Sequence, residues 1–523
     1  MSSKRLSRRA RKGAAQFIQK PRGVIHPRVQ QIGPEHFGIV CVDPAKARSK
    51  WMLCDFYGNV LVPPKFVAHN RVELDAAISE VRSVCEQREL RDVLVAVERT
   101  GRYHHPVKNA FRRADFDTRL VHPYATKQFR QPADPGNKTD DRDLAAMHRA
   151  TVNGFALVEA VADESWQRLQ LLIRHRRNLV QKNSALCSQI RHHLEVAMPG
   201  YAACFDKLWE HPVGMALVRQ FDSAAALTEA GLDGLVAFTR GQGIRCQRRS
   251  LVTVLEWARN AAVADSAADT HRRIALAYDE DRRRKMQEIQ ALERTCAHLL
   301  ARTPYILLLS FPGVNVVSAA DFAGEMGPIT NYANSRAITG RAGLFPARYQ
   351  SDQTDRADGP LVRRANRALR AAILGIADNL ILCNHYFNAM AARWSAAGKD
   401  IRHTHVKIGS RFCRIAFHMV AGRQVFRHPG LRERSYILDK LLAFHREHDT
   451  PWPETLEDLN QAVAHVPPKE YRAEAKPLRE RLEKFERRRA KGPQQLGDLL
   501  AIVLARLGVG RVQSPESGEN NLT

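Results

Sequence analysis

Four acidic residues stand where carboxylates could act together on one substrate. Asp43 ends the apolar run "FGIVCVD", and Glu98 ends a second apolar run, "DVLVAVE". Both runs are typical of buried strands, and ligands in open α/β sheets gather at the carboxyl ends of such strands. In "NKTDDRDLAAMHRA", Asp140 and Asp143 lie three residues apart at the start of a predicted helix, so they share a face from which Asp141 points away.

Carboxylates that converge in this way repel one another unless cations lie between them. Hard oxygen ligands suit Mg²⁺ or Mn²⁺, and two such ions about 4 Å apart stabilise the attacking and leaving oxygens of phosphoryl transfer. Each acid taken alone is more often a surface carboxylate or a helix cap. The shared setting of the four, at strand ends and on one helical turn of a basic protein, predicts a metal-dependent site.

The charge balance predicts a polyanionic partner. Lys and Arg number 81 against 55 Asp and Glu, a formal net charge of +26, which favours nucleic acid or an anionic membrane surface. A membrane span needs roughly 20 apolar residues, and the most apolar stretch, residues 305–324, is interrupted by Pro312, Gly313 and Asp321. The N-terminus has no apolar signal core, and the nine cysteines form no CxxC pair. We therefore expect a cytoplasmic protein without a zinc site or disulfide framework.

The patterning predicts several domains, since 523 residues exceed what one core supports. Strands followed by alternating strands and helices indicate an α/β sheet in the first third of the chain. Residues 163–197 and 280–300 repeat apolar side chains at three-four spacing, which predicts an antiparallel coiled coil, although ordinary helix packing gives the same stripes. The expected division is 1–36 as a basic flexible arm, 37–160 as the α/β catalytic domain, 161–304 as a coiled-coil and helical insertion, 305–425 as a second, mainly α-helical domain, and 426–523 as a basic helical extension.

The acids also carry a resemblance to a known family. Strand-borne Asp43 and Glu98 with "KTDDRD" resemble the DEDD pattern of a RuvC-like, RNase H-type fold. With "FPGVNVVSAADFAGEMG" and "AITGRAGLFPARYQSDQTDRADGPLVRRANRALR", residues 37–420 resemble DEDD insertion-sequence transposases that bear a second, serine-containing domain, also described as bridge-RNA-guided recombinases. The resemblance implies one catalytic, metal-binding set: Asp43, Glu98, Asp140 and Asp143.

The resemblance further implies a serine nucleophile a few residues after a "GLxP" turn. Here the turn is "GLFP" and the serine is Ser351, with Thr354 as a secondary candidate. A serine hydroxyl is a weak nucleophile until it is activated. Metal-bound carboxylates of the first domain, from the same or another subunit, are expected to activate it. The chain departs from the family pattern at Asp352 and Ala365, where glycine is usual.

Clustered arginines are the candidates for nucleic-acid contact. We expect one long basic helix to carry Arg363, Arg364, Arg367 and Arg370, without acids from 360 to 377, and to contact phosphates. In "RHRR" on the first long helix, Arg174 and Arg177 are further candidates for DNA or RNA contact. "FPGVN" at a helix start could bind phosphate through backbone N–H groups, or could be a plain Pro-Gly turn.

Three functions fit the sequence. The first is a DNA transposase or recombinase directed by a structured guide RNA, acting on donor and target DNA as a dimer or tetramer near the bacterial nucleoid, as the resemblance implies. The second is a RuvC-like nuclease that hydrolyses DNA with activated water and leaves Ser351 structural. The third is a relative that binds nucleic acid without catalysis.

Overall fold

The computed structural model describes residues 22–132, 136–159, 163–351, 354–356, 359–426 and 436–467. The chain separates into two compact units, Met1–Val161 and Ala162–Thr523, each with its own core.

The first unit is built on a six-stranded mixed sheet in the order β3-β2-β1-β4-β5-β6. Its strands are β1 (Phe37–Pro44), β2 (Arg48–Asp55), β3 (Val60–Ala68), β4 (Asp92–Glu98), β5 (Asp117–Val121) and β6 (Ala156–Leu157). The first three strands form an antiparallel meander, whereas β1, β4 and β5 run parallel and β6 runs against β5. This arrangement confirms the predicted α/β sheet and is consistent with a RuvC-like domain.

Helices cover both faces of the sheet. Those of the first unit are α1 (His26–Ile32), α2 (Arg71–Gln87), α3 (His104–Arg113), α4 (Pro123–Arg130) and α5 (Asp140–Val152). Side chains alternate along a strand, so Val40 and Val42 pack with α2 and α3, while Ile39 and Cys41 pack with α1 and α5. The odd-numbered residues of β1, including Asp43, therefore face the side of the sheet that α5 covers.

Part of the predicted N-terminal arm belongs to this core. Ile25 and Val29 are buried, and Arg28 forms ion pairs with Asp92 and Asp117. The expected flexible arm therefore does not extend to residues 22–36, because two apolar side chains and two ion pairs fix them to the sheet. Residues 1–21 lie outside the described part of the chain.

The described part of the second unit is mainly helical. Its helices are α6 (Glu164–Ala197), α7 (Gly214–Gln220), α8 (Ala224–Gly241), α9 (Arg248–Arg259), α10 (Ala268–Ala301), α11 (Val316–Met326), α12 (Ser335–Ala342), α13 (Arg367–Cys383), α14 (His385–Ala396), α15 (Ile401–Gly422), α16 (Tyr436–Glu447) and α17 (Trp452–His465). A short hairpin, β7 (Tyr349–Ser351) and β8 (Thr354–Arg356), stands between α12 and α13.

The long helices α6 and α10 pack against each other in opposite directions. Residues increase along α6 as their partners decrease along α10: Arg176 contacts Glu293, Asn183 contacts Met286, and His193 contacts His271. The paired long helices were predicted correctly, and their supercoiling into a coiled coil stays a prediction.

Two hydrophobic cores lie along this helix pair. The first packs the end of α6, from Ile190, against α7, α8 and α9. The second packs the start of α6 and the end of α10 against α11 to α17. Helices α16 and α17 are thus part of the second core, whereas the strongly basic stretch 472–491 lies outside the described residues.

The described helices include none with the length and apolarity that a membrane span requires. The nine cysteines are all free thiols.

Candidate catalytic site

The first two acids are neighbours on adjacent parallel strands. Val42 of β1 pairs in register with Val97 of β4, so the next residues of the two strands, Asp43 and Glu98, lie side by side. Adjacent strands are about 4.8 Å apart, and both side chains point to the face that α5 covers. Thr100 donates its hydroxyl to Glu98 Oε2 at 2.9 Å and thereby orients that carboxylate.

Helix α5 brings the second pair of acids to the same face. The Thr139 side chain caps the helix, which therefore begins at Asp140. Leu144 and Met147 are buried against the sheet, and residues three or four apart share a helix face. Asp140 and Asp143 consequently lie on the sheet-facing side of the first turn.

The four carboxylates interact electrostatically. Burial, which has the largest effect, and the negative charges of Glu98, Asp140 and Asp143 together raise the pKa of Asp43 from 3.8 to about 7, against an opposing effect of Lys138. A carboxyl group that desolvation and like charges hold partly protonated near neutral pH is a common feature of functional sites. The three other acids are thus near enough to Asp43 to affect its charge, and their convergence around a metal ion stays a prediction.

Two cations that the sequence reasoning missed also lie at this site. Arg130 of α4 donates through Nη1 to Asp143 Oδ1, and both side chains are nearly buried. Lys50 lies opposite Asp43 in the antiparallel register of β1 and β2, and its Nζ is 2.6 Å from Asp141 Oδ1. Asp141 thus binds Lys50 and does not contribute to the raised pKa of Asp43. This is expected of a side chain on a different face of α5.

The donor set fits a divalent cation in its chemistry. Four carboxylates gather with incomplete compensation of their charge, and hard oxygen donors suit Mg²⁺ or Mn²⁺. Within the described residues, no three acidic, histidine or cysteine side chains are close enough to hold an ion. Arg130 occupies Asp143, so a cation that used this carboxylate would have to compete with the guanidinium.

The predicted nucleophile lies on the β7–β8 hairpin of the second unit. Ser351 is exposed and pairs across the turn with Thr354. No hydrogen bond reaches its hydroxyl from any residue that the structure describes. Arg348 holds the two strands together through Asp355, at 2.9 and 2.6 Å.

The two departures from the family pattern have different outcomes. Asp352 lies outside the described residues. Ala365 does not have positive φ, so its backbone does not require the glycine that is usual there. Gly359, which does match the pattern, is needed for a close approach, because a Cβ at this position would lie 2.5 Å from the Ala347 carbonyl oxygen.

The predicted long basic helix begins later than expected. Asn366 caps α13, its side chain accepting from the Leu369 N–H at 3.0 Å, and the helix starts at Arg367. Arg363 and Arg364 therefore precede the helix, and the prediction that they lie on it was wrong. These two and Arg367 are exposed.

Three other candidate arginines bind protein groups. Arg174 forms two hydrogen bonds of 2.8 Å with the fully buried Glu325. Arg177 lies 3.7 Å from Asp321, and Arg370 donates to the Ala342 carbonyl at 2.8 Å. These contacts hold helices and loops together.

The "FPGVN" turn has a structural role. Asn315 and Ser318 form a reciprocal capping box at the start of α11, with hydrogen bonds of 2.8 and 3.1 Å. Lys440 Nζ donates to the carbonyls of Phe311 and Val314 at 2.6 and 2.7 Å. The plain turn is therefore the better of the two readings.

Comparison with known families gives two matches. A transposase family model, DEDD_Tnp_IS110, matches residues 40–199. This matched range includes all four acids. A second model, described as the transposase IS116/IS110/IS902 family, matches residues 305–392 and contains Ser351. No curated protein matches the chain significantly.

Proposed function

The chain belongs to the IS110 family of transposases, and from that premise we propose that it excises and inserts a mobile DNA element under the direction of a structured RNA. The observation that carries the proposal is the crowding of four carboxylates at the ends of β1 and β4 and the start of α5, where burial first and the neighbouring charges second raise the pKa of Asp43 to about 7. Such crowding is unfavourable unless a cation is bound. Clustered carboxylates that bind divalent cations are what a metal-dependent site for phosphoryl transfer on DNA requires.

We assign metal binding to Asp43, Glu98, Asp140 and Asp143. A divalent ion bound there would supply Lewis-acid stabilisation of charge on the phosphate oxygens. The chain's own contribution is to hold the carboxylates on one face: β1 and β4 fix two of them by register, and the cap of α5 fixes the other two.

The strand transfer that we propose uses Ser351 as the nucleophile. Its hydroxyl oxygen forms a bond to the phosphorus of a DNA phosphodiester and gives up its proton, while one of the two P–O ester bonds to deoxyribose breaks and the departing oxygen takes a proton. In the second step, the deoxyribose hydroxyl of another strand attacks the phosphoserine, and the Ser351 oxygen leaves and is reprotonated. The number of phosphodiester bonds is conserved, so the exchange requires no external energy source.

Nucleic-acid contact in this proposal rests on the exposed cations. Arg363, Arg364 and Arg367 lie just before and at the start of α13, within the family-matched part of the second unit. Arginine is suited to phosphate contact because its guanidinium stays charged and forms paired hydrogen bonds. Base pairing between guide and DNA would supply sequence specificity, so the protein needs no base-reading motif.

The roles of the acids are tested with a matched pair of variants. We expect Asp43→Asn to abolish cutting and joining of DNA in the presence of Mg²⁺, because it removes the carboxylate that interacts with all three of the other acids. Asp141→Asn, which changes an acid two positions from Asp143 but outside the cluster, should retain most of the activity. Equal activity in the two variants would show that the cluster is not catalytic.

The serine is tested by covalent trapping, which also decides between transposition and the alternative of DNA hydrolysis. The alternative draws support from the absence of a described hydrogen-bond partner for the Ser351 hydroxyl. Incubation with DNA and Mg²⁺ followed by denaturation should leave DNA attached to the protein, and Ser351→Ala should lose this adduct while Thr354→Val keeps it. Cleavage without any adduct, unchanged in Ser351→Ala, would support hydrolysis by activated water.

A further inference from the structure

A large groove lies beside the serine-bearing hairpin of the second unit. It has a volume of about 1220 Å³ and is bounded by α14, α15 and the two chain segments that lead into and out of the hairpin. Small-molecule pockets are usually about 300–1,000 Å³. The size and open shape of this groove therefore favour a polymer as its occupant.

One wall of the groove is a stripe of positive charge. Lys407, Arg411 and Arg414 lie four and three residues apart on α15, so their side chains follow one face of the helix. No carboxylate in the described ranges forms an ion pair with any of the three. The acid of the lining, Asp400, is already used as the N-cap of α15, where it accepts from the Arg402 N–H at 2.7 Å.

Aromatic rings alternate with these cations. Lys407 Nζ lies 5.3 Å from the centre of the Trp394 ring, and the Arg411 guanidinium lies 5.8 Å from that of Tyr386. Phe345, at the hairpin end of the groove, is 45% exposed although it is a large apolar side chain. Cations that track a backbone, interleaved with rings on which bases stack, are the means by which proteins bind single-stranded nucleic acid.

The groove continues beyond its first cavity. A second cavity of about 540 Å³ shares Tyr386, Arg411 and Arg414 with the first and extends to His418. From Arg402 to His418 the helix rises about 24 Å at 1.5 Å per residue. This is the length of about seven nucleotides at 3.4 Å per step, which lies within the range of single-strand binding sites.

The groove leads to Ser351 along the hairpin. The two segments pair from the groove outward, through the Val362 N–H to the Phe345 carbonyl, the bridge of Pro346 with Leu361, and then β7 with β8. Ser351 is five positions after Pro346 in the chain, a reach of at most about 18 Å. A strand that follows the groove would thus have its next few nucleotides beside the serine.

We propose that this groove binds an unpaired DNA strand and directs it to Ser351. The inference rests on the proposed function, because that function is what favours DNA over RNA as the occupant. Duplex DNA could meet the charged stripe, but it could not stack its paired bases on Trp394 and Tyr386. The groove is therefore expected to distinguish unpaired from paired DNA.

The test measures dissociation constants for a fluorescent single-stranded oligodeoxynucleotide, the matching duplex and an RNA of the same sequence. Trp394→Ala should weaken single-strand binding about tenfold or more and duplex binding much less, while Trp394→Phe should keep most of the affinity. Lys407→Gln with Arg414→Gln, two exposed positions, should lower the slope of log K against log salt by about 1.4 for single strands. Arg259→Gln, an exposed arginine on α9, removes one positive charge outside the groove and is the control for a general loss of surface charge.

The outcomes decide the proposal separately from the nucleophile. If the Trp394 and lysine–arginine variants bind single strands as well as Arg259→Gln does, or lose single-strand and duplex binding equally, the groove is not the site. A greater loss for the RNA than for the DNA would assign the groove to an RNA strand and overturn the DNA assignment. Because binding is read without cleavage, a failure of Ser351 to form an adduct leaves these results intact and counts against the proposed function alone.

Discussion

At the residue scale, Asp43 is the acid of the candidate catalytic site whose pKa is raised. Its carboxyl group is partly buried and adjoins three other acids, and its pKa is raised from 3.8 to about 7. An acid whose folded pKa exceeds its unfolded value binds a proton in the folded state that the unfolded chain has released. The stability of the metal-free protein should therefore depend on pH through this residue.

The raised pKa of Asp43 predicts that the free energy of unfolding decreases as pH rises. Between pH of about 4 and about 7 the folded state holds more protons at Asp43, so the free energy of unfolding falls as pH rises. Asp43→Asn removes the cost of ionising this carboxyl group. The variant should therefore melt a few degrees above the wild type at pH 8 and at the same temperature near pH 4. About 1 kcal/mol of free energy of unfolding shifts Tm by roughly 2–4 °C in a domain of this size. Thermal unfolding in the presence of a chelator measures the difference, and a wild type that is the more stable at pH 8 would contradict the prediction.

A second residue-scale prediction concerns the guanidinium at Asp143. Arg130→Gln leaves a nearly buried carboxylate without its partner, which should destabilise the metal-free protein by about 3 kcal/mol and raise its affinity for Mn²⁺ several-fold, because a competing cation is gone. Lys127→Gln, an exposed change on the same helix, should alter neither quantity. Unfolding by denaturant and calorimetric titration with Mn²⁺ provide the two readings, and unchanged or weaker Mn²⁺ binding in Arg130→Gln would refute the competition.

At the element scale, strand register and one helix cap position the four candidate acids, whereas a hairpin positions the serine. Gly359→Ala would place a Cβ 2.5 Å from a backbone oxygen of the opposite segment. We expect the hairpin to shift and formation of the Ser351 adduct to fall at least tenfold, with little loss of overall stability because the hairpin is exposed. Gly375→Ala in α13, where an added Cβ meets nothing within 4 Å, should keep full adduct formation and gain about 0.5–1 kcal/mol of stability. Equal adduct yields would show that the hairpin geometry is irrelevant to the serine.

Helix packing in the second unit makes a further prediction. Glu325 is fully buried and accepts hydrogen bonds from Arg174 of α6 and from Asn366, the cap of α13. Glu325→Gln should lower the free energy of unfolding by about 1–3 kcal/mol, since it removes the charge of a fully buried acceptor and leaves its donors poorly satisfied. Glu288→Gln breaks an exposed ion pair on α10 and should cost less than about 0.5 kcal/mol. Similar denaturation midpoints for the two variants would rule out this role for Glu325.

The sequence predicted the elements whose patterns are long or strongly apolar. Strands β1 and β4 and helix α5 were found because their apolar residues follow the period of the structure, and the positions of Asp43, Glu98, Asp140 and Asp143 followed from them. Helix α4 was missed because eight residues with two basic side chains in the last turn give little periodicity. Its signal was Pro123 at the first helical position after His122, and without that helix Arg130 could not be foreseen.

Short and locally polar elements were harder to predict. The β7–β8 hairpin has strands of three residues, and the sequence did not predict it, because its pairing is set by contacts between segments and not by hydrophobic periodicity. The start of α13 was placed too early, although Asn366 is a strong N-cap signal. The ion pair of Arg174 with Glu325 joins residues 151 apart in sequence, which no local pattern reveals.

At the scale of the whole molecule, the family matches and the compact units divide the chain differently. The first match runs from residue 40 to 199 and so includes α6 of the second unit. The acids belong to the first unit and Ser351 to the second, so the proposed reaction requires both. The net charge of +26 suits a protein that handles several nucleic-acid strands at once.

We propose that four carboxylates from separate segments of the chain jointly bind divalent ions. Titration of Mn²⁺ into the full-length protein, followed by calorimetry or electron paramagnetic resonance, tests it without requiring a DNA substrate. We predict that the wild type and Asp141→Asn bind at least one ion with similar affinity, and that Asp43→Asn binds it at least tenfold more weakly. Undiminished binding by Asp43→Asn, or no binding by the wild type, would contradict the claim.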